Sequence, residues 1–375
     1  MSNNLDIFKK IESKVEFGIS MMTLCLTTGP LKRRILISLS LVNNLLNVIL
    51  SANHLVLNFH GKLTTNIMGS AVIVFGSSQI VLKNFSTYFY RENLLELFRW
   101  TQSLHNKQQN GVLKVITEES LLKYDKLWII LFKITHGAIF VTCFVFGVNN
   151  IVKGDAGVLF RFPFISMNFV YYSELMVSLQ LICVCISGII TITSDLGIVY
   201  IGMEIMSTLD VLHYFILSYK DRTPKKIDFL EVVTRDHSAI IEKINHFNNA
   251  IYMLSFTQFV TSTLLCLIAF ADISMNSKSP IGYLIALCSM SQLFLPCLFG
   301  EFIKIKTERL SISLYFINWY NMNRKDQNNF IVILGLMQRT YGVKAAGMYN
   351  VDIYTFIQIV KMASSYCAIL LAVNN

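Results

Sequence analysis

Charged residues are scarce in this chain. Only 15% of its 375 residues are Asp, Glu, Lys or Arg, whereas 54% are hydrophobic, and the mean hydropathy is +0.53. A soluble domain carries about 25% charged residues, because its surface must be solvated. The composition therefore excludes an ordinary soluble domain and indicates a polytopic membrane protein.

The sequence also lacks the short motifs of the soluble enzyme classes. It contains no G-x-x-x-x-G-K-[ST], H-E-x-x-H, C-x-x-C or G-x-S-x-G pattern. Asp236, His237 and His246 share one predicted helix, where hydrogen bonds at a helix–helix contact are a simpler interpretation than a metal site with three ligands in register. We therefore expect a protein that is not an enzyme and that has no cofactor and no metal ligands.

A secretory signal and a disulfide framework are both unexpected here. The N-terminal segment MSNNLDIFKKIESK is polar and amphipathic, without the apolar core of a signal peptide. The eight cysteines fall almost entirely within apolar runs, where they act as small packing residues. The first apolar run is thus expected to direct the chain to the membrane.

Long apolar runs are what the chain does have. Seven of them, each about 20 residues long, can cross about 30 Å of hydrocarbon as helices. They are Ile35–Phe59, Thr64–Leu82, Leu127–Val148, Phe169–Ser194, Ile251–Ile273, Ile281–Ile303 and Val351–Val373. The sequence thus predicts an all-α polytopic membrane protein with seven transmembrane helices.

The basic residues are distributed by loop. If the N-terminus is cytosolic, the inner segments hold about 26 of the 32 Lys and Arg residues, as the positive-inside rule requires. The outer segments then hold only Lys62, Lys153, Arg161 and Lys278. This distribution predicts a cytosolic N-terminus and an extracellular C-terminus. It also argues against a nucleic-acid partner, which would need the positive charges clustered on one face.

The inner connections have a helical pattern with apolar stripes. Between the second and third runs, apolar residues recur at three- and four-residue steps, as at Leu94, Leu97, Phe98 and Thr101. We interpret these segments as a helical cytosolic anchor region; solvated helices with packing inside one subunit are the alternative. The predicted divisions are 1–34, a cytosolic N-terminal segment; 35–303, six membrane helices with a ligand pocket in their outer half; 304–350, a cytosolic anchor segment; and 351–375, a pore-lining seventh helix.

The outer halves of four predicted spans supply apolar and aromatic side chains with few polar groups, as a pocket for a small apolar ligand requires. Ordinary helix packing is the alternative for any one of them. The candidate ligand-binding residues are Met68, Val72, Phe75, His136, Phe140, Phe144, Tyr172, Met176, Tyr283 and Met290. His136 and the tyrosines could each supply a hydrogen bond.

The last apolar run has two different faces. At about 100° per residue, Lys361, Met362, Ser365 and Ile369 share a polar or small face, and the opposite face is bulky and apolar. Such a helix could line a pore that closes by dewetting at Ile369. Alternatively, the stripe packs internally and Lys361 snorkels or pairs with an acid such as Glu301. The candidate pore and gate residues are Lys361, Met362, Ser365, Ile369, Ala372 and Val373.

Four ordered stretches of the second half resemble the insect odorant receptor family. They are TSDLGIVYIGMEIMSTLDVLHYF, RDHSAIIEKINHFNNAIYMLSFTQFVTSTLLC, FGEFIKIKTERLSISLYFINWYN and KAAGMYNVDIYTFIQIVKMASSYCAILL. The first half resembles the family only in topology. Where many relatives have Lys-Pro near the start of the last helix, this chain has QRTY at 338–341, so the turn before Gly347 is expected to differ.

The resemblance implies a ligand-gated, nonselective cation channel in the plasma membrane of olfactory sensory neurons. Tuning subunits of this family form heterotetramers with a shared co-receptor, and a small volatile odorant opens a central pore lined by the last span. An aliphatic residue near the outer end of that span is the gate, and Ile369 is the matching position here. The co-receptor carries a long insertion between its fourth and fifth spans, whereas about ten residues around KDRTPKK stand here, so the chain resembles a tuning subunit.

Three other functions fit parts of the sequence. A gustatory receptor of the same superfamily would work without the co-receptor, and a seven-helix G-protein-coupled receptor would have the opposite orientation. A transporter is disfavoured because the spans lack paired broken helices and intramembrane acids. In a cation pore, four copies of Lys361 would oppose permeation, so either few copies are present or the side chain points aside.

Overall fold

The computed structural model describes residues 2–24, 30–59, 65–106, 112–153, 158–162, 165, 170–219, 227–275, 280–345 and 349–374. Within these ranges the α-helices are α1 Ser2–Met22, α2 Leu31–Asn58, α3 Thr65–Phe89, α4 Arg91–Asn106, α5 Val112–Lys153, α6 Tyr172–Leu217, α7 Ile227–Met275, α8 Pro280–Tyr315, α9 Arg324–Met337 and α10 Ile353–Asn374. A short 3-10 helix at Trp319–Asn321 precedes α9, and an antiparallel hairpin of β1 Lys344–Ala345 and β2 Tyr349–Asn350 precedes α10.

Seven of these helices are membrane helices. Among the described residues, α2, α3, α5, α6, α7 and α8 are long and apolar enough to span a bilayer. The seventh is α10, whose 22 mostly apolar residues extend about 33 Å at 1.5 Å per residue. Apart from a few end residues, each predicted apolar run coincides with one of these helices, so the predicted all-α fold with seven transmembrane helices is confirmed. The chain is thus a multi-pass membrane protein.

Four membrane helices are far longer than a bilayer requires. The helices α5, α6, α7 and α8 contain 42, 46, 49 and 36 residues, whereas about 20 residues cross the hydrocarbon. Their remaining turns extend to the side on which α1, α4 and α9 lie. We call this the inner side, which the distribution of basic residues assigns to the cytosol. The predicted KDRTPKK break and Gly347 itself lie outside the described residues, whereas QRTY at 338–341 follows the end of α9.

The inner bundle has a continuous apolar core. One face of α1 buries Phe8, Ile11, Val15 and Ile19 against α4, α5 and α6. The predicted stripe on α4 is confirmed, because Leu94, Leu97, Phe98 and Thr101 are all buried. The helices also approach closely: a methyl group on Gly18 of α1 would meet the Thr193 carbonyl oxygen of α6 at 2.4 Å. This packing fixes the inner ends of the long helices.

Two ion pairs lie where the inner bundle meets the membrane helices. On α3, Lys83 donates to both carboxylate oxygens of Asp195 on α6, at 2.9 and 2.8 Å. Arg33, near the start of α2, donates to Glu16 of α1 at 2.6 Å. Ionised side chains are costly inside hydrocarbon, so these pairs indicate the level of the inner membrane surface.

Candidate functional site

An outer connection folds back between the membrane helices. Val158, Leu159 and Phe160 follow α5 and are buried, and Phe160 is fully enclosed. Leu159 and Phe160 pack with Ile73 of α3, while Val158 packs with Met176 of α6. We call residues 158–160 the outer plug, since they fill the space between the outer ends of α3 and α6.

Polar side chains hold the backbone of the outer plug. The amide of Gln180 on α6 donates from Nε2 to the Phe160 carbonyl oxygen at 2.6 Å and accepts from the Leu159 N–H at 3.3 Å. On α3, Ser70 Oγ donates to the Leu159 carbonyl oxygen at 2.7 Å, and His54 Nδ1 of α2 lies 3.0 Å from that hydroxyl. Buried backbone groups require such partners, so the plug has one defined conformation.

Several predicted pocket residues lie at the outer plug. Met68 of α3 and Met176 of α6 are buried, and Tyr172 packs against the cluster that Val158 forms with Met176. Val72 and Phe75 of α3 are half-buried. The structure therefore brings Tyr172 and Met176 of the predicted set to the outer plug, while Met68, Val72 and Phe75 lie on the same helix as Ile73, which contacts the plug. The role of all five in ligand binding stays a prediction.

Other predicted pocket residues point away from this region or lie deeper. Phe140 and Phe144 of α5 and Tyr283 of α8 are each more than half exposed on the single chain, and Met290 of α8 is half-buried. They would face lipid or another subunit. Their role in ligand binding also stays a prediction.

His136 of α5 contacts α6 at a different level from the outer plug, and its role in ligand binding stays a prediction. Its Nε2 is 3.2 Å from Thr193 Oγ1, its Nδ1 is 2.9 Å from the Phe132 carbonyl oxygen, and its ring stacks on Phe132 at 4.0 Å. Phe132 in turn contacts the ammonium group of Lys14 on α1. Phe146, which packs against the outer plug, is ten residues and about 15 Å further along α5.

A buried amide layer joins three membrane helices below the plug. Gln79 Nε2 of α3 lies 3.0 Å from Gln258 Oε1 of α7, 3.2 Å from Ser262 Oγ and 3.3 Å from Gln292 Oε1 of α8. The Ser262 hydroxyl also donates to Gln292 Oε1 at 3.1 Å. Sequence reasoning missed this layer as a unit; single glutamines in apolar runs were its only sequence signal.

The segment before α10 is fixed to α7 and α8. Asn248 of α7 donates to the Gly342 carbonyl oxygen at 3.0 Å and accepts from Lys344 N–H at 3.2 Å. Thr307 Oγ1 of α8 donates to the Tyr341 carbonyl oxygen at 3.1 Å. Asp352 then caps α10, accepting from Thr355 N–H at 2.9 Å. Any shift of α7 or α8 at these contacts would therefore move the start of α10.

Most described side chains in the outer half of α10 are exposed on the single chain, including Tyr366 on the bulky face, and Ala363 is an exception. Ala363 is fully buried, and Phe356 packs edge-on against Phe294 of α8 with ring centroids 5.3 Å apart. The predicted pore residues Lys361, Met362, Ser365 and Ile369 are exposed. Among the described residues Lys361 has no ion-pair partner, so Glu301 does not pair with it. The side chains of Ala372 and Val373 lie outside the described residues.

Exposed apolar residues also mark the inner bundle. Ile331, Val332 and Leu336 of α9 are each about half or more exposed, as are Tyr315 and Phe316 at the end of α8. We call these five residues the anchor patch.

Among the described residues, one set of three potential metal ligands lies close together, His105, Asp125 and Glu204, and it belongs to the inner bundle rather than the outer site.

Known proteins resemble this chain over most of its length. The family model of the 7tm odorant receptors matches residues 64–364. Among curated proteins, odorant receptor 33a of Drosophila melanogaster is 23% identical over 180 residues, 46% of each chain, and odorant receptor 33b is 25% identical over 35% of this chain and 36% of its own. These sequence matches thus span less than half the length of the curated relatives.

Solved structures share the fold over nearly the whole chain. The insect olfactory receptor OR5 from Machilis hrabei in complex with eugenol superposes with a TM-score of 0.76 over 99% of this chain and 100% of that one, at 13% identity. A second OR5 structure gives a TM-score of 0.67 with the same coverage and identity. Members of the matched family are receptors rather than enzymes. The chain belongs to the insect odorant receptor family.

Proposed function

We propose that the chain is the odorant-binding subunit of a nonselective cation channel, which a small volatile apolar ligand opens together with a co-receptor in the plasma membrane of olfactory sensory neurons. The exposed face of α10 is the observation that carries this proposal. Its residues Lys361, Met362, Ser365 and Ile369 have no covering element in the described part of the subunit, while Ala363 on the other face is buried.

A pore explains why this face is polar. A lysine near the centre of a membrane helix costs about 2.5–3.5 kcal/mol or more when it faces lipid. A water-filled lumen removes that cost for Lys361 and solvates Ser365. Ile369 then stands one turn further out as a large aliphatic side chain, where a ring of such residues can close a pore by dewetting.

The residues around the outer plug support the proposal that the ligand is apolar. Met68, Met176 and Phe160 present apolar surface, and the nearby polar groups of Gln180 and Ser70 are already hydrogen-bonded to the plug. A site of this composition favours an uncharged compound that gains most of its affinity from buried apolar area. The resemblance in fold to a receptor solved in complex with eugenol supports the same class of ligand.

The anchor patch supports assembly with other subunits. Exposed apolar residues that cluster on an aqueous surface commonly mark protein–protein contacts. The patch includes Ile331 and Val332, which lie next to one another on α9 and are 58% and 64% exposed. A central inner bundle of several subunits would cover these side chains and align the copies of α10 around one axis.

Current recordings test the proposal directly. Cells that express this chain with an insect odorant co-receptor should show a cation conductance that an uncharged volatile opens, and cells with the co-receptor alone should not respond to that volatile. If the chain reaches the surface with the co-receptor and no member of a broad odorant panel opens a conductance, the proposal is wrong.

Cysteine accessibility tests the pore face separately. With an activating odorant present, Ser365→Cys and Ile369→Cys channels should lose current after application of a charged thiol reagent, because their side chains face water. Ala363→Cys is the matched control, since Ala363 lies on the same helix and is fully buried. Modification of Ala363→Cys but not of Ser365→Cys would show that the assigned pore face is wrong.

A further inference from the structure

Three helices of the inner bundle bring together a histidine and two carboxylates that the proposed channel function does not use. His105 lies in the last turn of α4, Asp125 lies on α5 and Glu204 lies on α6, and one potential ligand atom from each falls within 4.8 Å of the others. Glu204 lies nine positions after Asp195 on α6. The cluster is therefore about 13 Å from the inner membrane surface, on the side of the inner bundle.

The distances within this cluster are short. His105 Nε2 lies 3.2 Å from Glu204 Oε1. The Tyr200 hydroxyl donates to Asp125 Oδ1 at 3.0 Å and lies 3.3 Å from His105 Nε2. Phe8 of α1 covers the histidine ring, with centroids 3.8 Å apart and an angle of 11° between the rings. The four polar side chains thus enclose a common point beneath an aromatic cover.

Glu204 has an oxygen that the protein leaves unsatisfied. Its side chain is fully buried, and Oε2 has no hydrogen-bond partner among the described residues. The carboxylate faces the cluster, because Oε1 contacts His105. A buried acceptor without a partner costs about 1–3 kcal/mol, and more when it is charged, so it points to a group that the side chains alone do not supply.

The two carboxylates also lack a permanent cation. In the described part of the chain, neither Asp125 nor Glu204 forms an ion pair with Lys or Arg. Two buried carboxylates this close are stable only if a cation or a proton compensates them.

We propose that His105, Asp125 and Glu204 bind a divalent transition-metal ion, with zinc as the best fit. Zinc accepts one imidazole nitrogen and carboxylate oxygens at about 2.0–2.2 Å, and two such ligands on a tetrahedral ion lie about 3.3 Å apart. The observed separation of His105 Nε2 and Glu204 Oε1 is 3.2 Å. A double positive charge neutralises both carboxylates, and an imidazole ligand favours zinc over calcium or magnesium.

Tyr200 completes the arrangement without being required as a ligand. Its hydroxyl donates to Asp125 and so orients that carboxylate, as groups next to metal ligands commonly do. Bound metal would join α4, α5 and α6 at one point and hold Phe8 of α1 over the histidine. The ion would therefore stabilise the inner bundle, to which the start of α10 is connected through α7 and α8.

Metal analysis of the wild-type chain tests the proposal. The full-length protein, purified in detergent and incubated with Zn²⁺, should retain about one zinc ion per chain after desalting. Cobalt(II) should produce the visible absorption bands of a tetrahedral site, and zinc should bleach them. A wild-type chain that retains no zinc above the buffer background, or whose absorption does not change with cobalt, overturns the proposal and leaves a shared proton as the compensating charge.

Variants locate the site. Glu204→Gln and His105→Gln should each lower zinc retention at least tenfold, because loss of one ligand of three greatly weakens a site. His246→Gln is the matched control: His246 is a partly exposed histidine 3.8 Å from Glu242, a pair with too few ligands for a stable site. If His246→Gln removes as much zinc as His105→Gln, the bound metal lies elsewhere and the assignment is wrong.

The melting temperature separates a structural ion from a surface contaminant. A chelator should lower the melting temperature of the wild-type chain by several degrees, since a ligand that binds only the folded state stabilises it. Re-addition of Zn²⁺ should restore it. The Glu204→Gln chain that remains folded should not respond to either treatment, and an equal response of this variant would contradict the site.

Discussion

Gly300 of α8 lies directly against the backbone of Val351, two residues before α10. A methyl group at position 300 would approach the Val351 carbonyl oxygen to 1.9 Å, a distance that no side chain can relieve because the obstacle is backbone. The Val351 N–H donates in turn to the Val343 carbonyl oxygen at 2.9 Å. The start of α10 is therefore held against α8 on a surface that only glycine fits.

Gly300→Ala should disturb the position of α10. The methyl group must push the 343–351 segment away from α8, and overpacking of this kind costs about 1–3 kcal/mol. We expect the odorant-evoked current per surface receptor to fall several-fold. Gly335→Ala on α9 is the control, since a methyl group there meets no atom within 4 Å. Equal currents from the two variants would show that this contact does not govern α10.

Gln180→Leu should loosen the outer plug. The substitution removes both hydrogen bonds that the side chain makes to Leu159 and Phe160 and leaves buried backbone groups unpaired, at about 1–3 kcal/mol. We expect a several-fold change in the odorant concentration for half-maximal current, with little change in surface expression.

Ser178→Ala is the matched control for this change. Ser178 lies two residues away on α6 and is exposed, and within the described residues its hydroxyl donates only to the Glu174 carbonyl oxygen of its own helix. If Gln180→Leu and Ser178→Ala channels need the same odorant concentration for half-maximal current, the outer plug does not border the ligand site.

The fold could be predicted from the sequence because its main determinants are local. Periodicity located the membrane helices and the buried stripe of α4. These features depend on the spacing of residues along one helix, which the sequence records directly.

The site was less predictable because its contacts join distant elements. The outer plug is irregular, so no period indicates that Phe160 turns inward, and Gln180 appears as one polar residue in an apolar run. The contact of His136 with Thr193 joins α5 to α6, and the spacing of residues along one helix does not record it. The cluster of His105, Asp125 and Glu204 has no motif because each ligand comes from a different helix.

Acidification should destabilise the inner bundle through His213. Burial, together with the nearby charges of Arg309 and Lys306, lowers the pKa of His213 below its ordinary 6.5, although Asp210 opposes this. Its Nδ1 lies 2.8 Å from Ser313 Oγ, whereas the buried Nε2 has no partner among the described residues that could accept from a second N–H. A folded-state pKa below the unfolded value means that stability is complete above about pH 6.5 and declines as the pH falls below it.

Thermal unfolding in detergent at about pH 7.5 and pH 5.5 measures this effect. Acidification should lower the melting temperature of both chains. The fall should be roughly 1–3 °C smaller for the His213→Gln chain, which cannot gain the charge, than for the wild-type chain. His246→Gln, at a partly exposed histidine, should behave as wild type. If the melting temperature of the His213→Gln chain falls as much on acidification as that of the wild-type chain, other groups cause the effect.

Lys361→Gln should raise cation conductance if the exposed face of α10 lines the lumen. Two unit charges 4 Å apart in water repel by about 1 kcal/mol, which corresponds to a several-fold effect on a permeating cation. Screening shortens the range of that repulsion, so the gain should be largest at low ionic strength and should shrink as salt is added. Lys361→Arg is the control, because it keeps the charge and nearly the length of the side chain. The two variants, each expressed with the co-receptor, should therefore differ in single-channel conductance at low salt and converge at high salt. If they conduct equally at every salt concentration, Lys361 points sideways to a neighbouring subunit or to the lipid headgroups, and the lumen is lined by a different face.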